Sequence, residues 1–111
     1  MERKAIPGTD YRYYIDEYGN VVSHTSYGDV VKMKQKTSPS GKKKVSIVIG
    51  KKLRHVYIHH LVAISWLTPS NRNKGFGVRH IDGDYENNHH SNLEFVPFPF
   101  LEDSDNIYDD Y

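Results

Sequence analysis

The chain has 111 residues, of which 15 are Lys or Arg and 14 are Asp or Glu, for a formal net charge of +1 with histidine neutral. That length holds one domain with one modest core. Because cysteine is absent, disulfides, thiolate zinc sites and cysteine nucleophiles are excluded, and a zinc site would have to use histidine and carboxylate alone.

The balanced total hides a segregated pattern. No acidic residue lies between Asp29 and Asp82, while Lys32, Lys34, Lys36, Lys42, Lys43, Lys44, Lys51, Lys52, Arg54, Arg72, Lys74 and Arg79 all fall there. Five acids, Glu102, Asp103, Asp105, Asp109 and Asp110, gather in the last ten positions. A basic body with an acidic tail is the footprint of a phosphate-backbone binder, so DNA is the expected partner. The longest apolar stretch, Leu61 to Leu67, is too short to span a bilayer, and no apolar leader follows Met-Glu-Arg-Lys. A soluble, cytoplasmic protein without a membrane partner is expected.

Lys32, Lys34 and Lys36 alternate with Val31, Met33 and Gln35. On a strand, that alternation would project three ammonium groups from one face. After the turn-forming Thr37–Gly41, Lys42 to Lys44 lead into the β-prone Val45–Ile49, and a further turn at Gly50–Lys52 precedes Leu53–Ile58. Three antiparallel strands with basic turns result, a shape that can lie against a DNA groove. The other reading of these lysines is a solvated face that keeps the chain soluble.

From His59 the period changes, and Leu61 to Leu67 read as a short helix packed on the sheet and ended by Thr68-Pro69. Trp66, among aliphatic neighbours, reads as a core anchor rather than a base-stacking platform. By pattern alone, one of His59 and His60 faces the core and the other solvent. Asn71 to Gly77 then connect to a strand over Val78–Ile81. The class is α+β in a single domain: a basic antiparallel sheet over 1–57, a helix and a hairpin module over 58–100, and an acidic, tyrosine-containing tail over 101–111.

The densest chemistry lies between Arg79-His80-Ile81-Asp82-Gly83-Asp84 and Ser91-Asn92-Leu93-Glu94-Phe95-Val96. The intervening Tyr85-Glu86-Asn87-Asn88-His89-His90 is crowded with side-chain donors and acceptors, which compete with the backbone and order a loop through polar contacts. The bland reading of Asp82-Gly83-Asp84 is a tight turn whose carboxylates cap backbone amides.

These blocks, with Ile58-His59-His60-Leu61-Val62-Ala63 upstream, resemble the HNH or ββα-metal nucleases of phage and homing type, whose signature reads roughly V-H-R-L-V-A, N-H-I-D-G-N, N-N, N-L-E-W-V-T. The opening from Tyr11 to Ser23, with Tyr18-Gly19-Asn20-Val21, also looks like the segment that often precedes this module. The resemblance implies metal-dependent hydrolysis of DNA phosphodiesters with His80 as general base, a residue type that titrates near neutral pH. It implies that Asn92 holds the loop and orients that histidine, and that His59 supports the metal site or contacts phosphate. Homing relatives usually add a DNA-reading module after the nuclease core. This chain ends too soon for one, so specificity is expected from the first sixty residues or from a partner.

The family's metal positions diverge here. Arg79 stands where a ligand often precedes the base, and arginine has no lone pair to give. Leu101 stands where the following helix usually supplies a ligand, within a stretch whose Pro97 and Pro99 oppose helix formation. Replacement oxygen ligands for magnesium or manganese are Asp82 and Asp84 in the hairpin, with Asp103, among other residues, approaching from the tail. The tail itself, with Glu102, Asp103, Asp105, Tyr108, Asp109, Asp110 and Tyr111, is a solubilising end, a screen for the basic sheet, or a nucleic-acid mimic that captures a host protein. Two functions stay open: a small HNH-type endonuclease of phage or mobile-element origin, or a binding protein that kept the fold without turnover and acts on nucleic acid or as an inhibitor of a host enzyme.

Overall fold

The computed structural model describes residues 2–67 and 76–97. Among them the class is α+β, as expected, with three antiparallel sheets around one helix. The first sheet takes β1 (Arg3–Ala5), β2 (Tyr13–Asp16), β3 (Val21–His24) and β4 (Val30–Lys32) in chain order. The second takes β5 (Lys36–Thr37), β6 (Lys43–Ile49) and β7 (Lys52–Tyr57). Helix α1 (Ile58–Trp66) follows directly, and β8 (Phe76–His80) pairs with β9 (Leu93–Pro97) as a hairpin.

Turn chemistry explains one hairpin in each of the first two sheets. At the β2–β3 turn the buried Asp16 carboxylate accepts hydrogen bonds from the Tyr18 and Asn20 amides, both at 2.9 Å, and from the Asn20 side chain at 2.8 Å. Gly19 completes that turn with φ +97°. Gly50 and Lys51, between the paired Ile49 and Lys52, both have positive φ. This is the type I′ geometry that matches strand twist in a two-residue hairpin.

One core joins the layers. Ile15 and Val21 from the first sheet, Ile47 from the second and Ile58, Val62 and Ala63 from the helix are fully buried together. The Tyr13 hydroxyl accepts from the Val48 amide at 3.1 Å, and the Trp66 indole N–H donates to the Ile15 carbonyl at 3.1 Å, so polar bonds tie the first sheet to the second and to the helix. Tyr57 gives α1 no side-chain cap. A nine-residue, largely apolar helix of this kind depends on packing rather than on its own propensity.

Three expectations are corrected. The alternation from Val31 to Lys36 is not one strand: β4 pairs with β3 and β5 with β6, and the connector between them is fastened by the Gln35 side chain donating to the Gly19 carbonyl at 2.8 Å. The helix starts at Ile58, so His59 and His60 share its first turn, and both are buried rather than one inside and one out. Lys42 and Lys44 are 2% exposed, so the Lys42–Lys44 run is not a solvent-facing turn. Lys44, on β6, stands opposite Tyr57 on β7, and Lys42, one residue before that strand, is buried with it.

Candidate active site

His80 ends β8 and leads into the polar loop, where it is 5% exposed. Strand alternation turns it inward while its neighbour Arg79 faces solvent and pairs with Glu94 across the hairpin. The His80 Nε2 lies 2.7 Å from Asn88 Oδ1. An amide oxygen only accepts, so with this amide orientation Nε2 carries a proton and donates it to Asn88.

The walls of this pocket come from three elements. His59 on the first turn of α1 lies 4.6 Å from the His80 ring and 4.5 Å from that of His60. Tyr85 from the loop stands 5.4 Å from His80. At the start of β6, the ammonium of Lys42, just before the strand, lies 5.0 Å from the Tyr85 ring and that of Lys44, within it, 5.0 Å from the Tyr57 ring. Aromatic faces offset part of the cost of withdrawing an ammonium from water. Burial pushes the His59 pKa far below its ordinary value, and any positive charge on His60, His80 or Lys42 pushes the same way. His59 is therefore a neutral imidazole beside His80.

The loop is held by its own side chains. Asn92 donates from Nδ2 to Asp82 Oδ1 and to the Asn87 carbonyl, both at 2.9 Å, while its Oδ1 accepts from the Asp82 amide at 3.2 Å. Asp82 also accepts from the Asp84 amide at 2.8 Å and from the Asn87 side chain at 3.0 Å. Those donors, first the Asp84 amide and then Asn87 and Asn92, hold the exposed Asp82 carboxyl below its ordinary pKa. Asp84 caps the Glu86 amide at 3.0 Å.

Each expected residue can now be placed. His80 and His59 come together in the pocket. Asn92 holds the loop, while the side chain on His80 is that of Asn88, one residue beyond Asn87. Asn88 was readable as part of the Asn-Asn pair, but nothing in the sequence distinguishes which of the loop's asparagines reaches the histidine. Asp82 and Asp84 are exposed turn caps. Among the described residues, no group of three His or carboxylate donors at ligand spacing includes His80, Asp82 or Asp84.

Lys32, Lys34, Lys36, Lys51 and Lys52 are exposed, Arg54 is half-buried, and Lys43 bonds Thr37 at 2.9 Å. Asp103, the other tail residues Glu102, Asp105, Tyr108, Asp109, Asp110 and Tyr111, and Leu101, Arg72 and Lys74 lie outside the described residues.

No family model matches the chain, and no curated protein does. Among solved structures it is similar to the HNH homing endonuclease I-HmuI, in a structure concerned with that enzyme's DNA binding and cleavage, with 30% sequence identity and a TM-score of 0.73. The match covers 87% of this chain and 53% of that one, so the chain spans about half the length of I-HmuI. Its α+β fold is HNH-like.

Proposed function

We propose that the chain is a DNA-processing protein of HNH type, with His80 as the base that activates water for phosphodiester hydrolysis. The observation that carries this reading is the pairing of His80 with Asn88 at 2.7 Å in a buried pocket of a fold shared with an HNH homing endonuclease. Asn88 fixes the ring and its tautomer, leaving Nδ1 to take the proton from water. The ammonium groups of Lys42 and Lys44 raise the potential around the pocket, which favours an anionic substrate. The exposed lysines on the two sheets hold the nucleic-acid backbone in this reading.

Magnesium or manganese is the expected cofactor, since such a cation neutralises charge on phosphate during hydrolysis. Because the described residues do not complete its ligand set, no step is assigned to it. A second reading, binding without turnover, is favoured by Arg79 being engaged with Glu94 and by the commitment of the Asp82 carboxylate to the loop.

Supercoiled plasmid separates the two. Wild type with magnesium or manganese is expected to nick it, and His80→Ala, shown folded by circular dichroism, is expected to lose nicking. Cleavage by His80→Ala at the wild-type rate would remove His80 from the chemistry. Absence of cleavage by folded wild type would select the binding reading.

A further inference from the structure

A second constellation lies on the opposite end of the loop from His80. Glu17, in the β2–β3 turn, meets His89 and His90, and one donor atom from each lies within 4.8 Å of the others. Glu17 Oε2 is 3.8 Å from His89 Nε2 and 3.7 Å from His90 Nε2. A tetrahedral ion with bonds of about 2.0–2.1 Å holds its ligands roughly 3.3 Å apart, so the two Glu17 contacts close by about half an ångström while the histidine nitrogens, within 4.8 Å of each other, draw together.

The site is framed before any ion arrives. The His90 amide donates to the Glu17 carbonyl at 3.0 Å, which joins the two segments through backbone and leaves the carboxylate free to turn. The His90 ring stacks on Trp66 at 5.4 Å and 6°. His89 Nδ1 lies 2.7 Å from the Ser91 hydroxyl and accepts the Ser91 amide at 3.2 Å. A metal on Nε2 puts the proton on Nδ1, which then gives up the Ser91 amide and donates instead to the Ser91 hydroxyl. Such outer partners orient ligating histidines. All three side chains are half-buried, reachable by a small ion.

We propose that Glu17, His89 and His90 bind a transition-metal ion of the zinc class, with a fourth position open to water, and that this ion staples the catalytic loop to the first sheet. Two imidazoles and one carboxylate suit zinc, cobalt or nickel rather than magnesium, which prefers oxygen donors. Asn88 directly precedes His89, so the staple tethers the residue that holds His80. The proposal concerns binding and stability, and it stands whether or not the chain cleaves DNA.

The test uses the full chain. Trp66 is the single tryptophan and stacks on a ligand, so its fluorescence reports occupancy. Zinc titrated by calorimetry is expected to bind with one-to-one stoichiometry and to raise the Tm, and cobalt is expected to quench Trp66 and give the visible absorption of a tetrahedral centre. Magnesium should do neither. Glu17→Gln and His89→Gln, which keep the backbone bond between the segments, are expected to weaken zinc by at least tenfold, while His80→Ala retains it. Failure of wild type to bind zinc saturably overturns the proposal. So does binding that Glu17→Gln and His89→Gln leave within tenfold of wild type, or that His80→Ala abolishes, since the ion would then sit elsewhere.

Discussion

His59 shows what burial does to an imidazole. Burial, and then the ionisable neighbours His60, His80 and Lys42, hold its pKa far below the ordinary value of 6.5, so it is neutral. In the unfolded chain it takes up a proton below that value, so the unfolded state binds more protons and stability falls as pH drops below about 6.5. This single group contributes a slope of about 1.4 kcal/mol per pH unit at the acid side. We expect wild type to lose about 1.4 kcal/mol more than His59→Leu between pH 7.5 and pH 5.5, measured by urea unfolding. Equal losses would show that His59 is not the group responsible. The depressed Asp82 carboxyl acts in the same sense but only below its ordinary value of 3.8, as pH falls through its folded pKa, outside that window.

At the scale of elements, the β2–β3 turn and the start of α1 are mutually dependent. A Cβ at Gly19 would meet Ile58 Cγ2 at 2.5 Å, and φ there is +97°. Gly28 has φ +87° with nothing within 4 Å of a Cβ. Both substitutions to Ala incur backbone strain of about 1 kcal/mol, whereas only Gly19→Ala also overpacks the helix start, by roughly 1–3 kcal/mol. Gly19→Ala should therefore lower unfolding free energy by about 2–4 kcal/mol and Gly28→Ala by about 1, measured in the same denaturant series. Similar losses at both positions would mean that the turn does not bear on the helix. The same turn carries Glu17, so this junction also sets the distance to His89 and His90.

Over the whole molecule, basic side chains divide into two classes that their spacing in the chain does not reveal. Lys32, Lys34, Lys36, Lys51 and Lys52 are exposed and available to phosphates, while Lys42 and Lys44 are enclosed with Tyr57, Tyr85 and the histidines. Under the proposed function, duplex affinity should fall steeply with salt, and Lys51→Gln with Lys52→Gln should reduce the slope of log K against log salt by about 2. A slope unchanged in the double variant would place the duplex away from the β6–β7 turn.

The α+β class, β6 and β7, the helix after His59 and the hairpin with its polar loop were all readable from the chain, because they rest on local rules: alternation, a change of period, turn residues and the crowding of Asp and Asn. The run from Val31 to Lys36 misled because alternation shows that a strand is possible and not which neighbour it bonds. The burial of Lys42 and Lys44, the pairing of His80 with Asn88 and the meeting of Glu17 with His89 and His90 were decided only by tertiary structure. Each depends on segments far apart in sequence that a packed core brings within a few ångströms, and no spacing along one strand or loop encodes that distance.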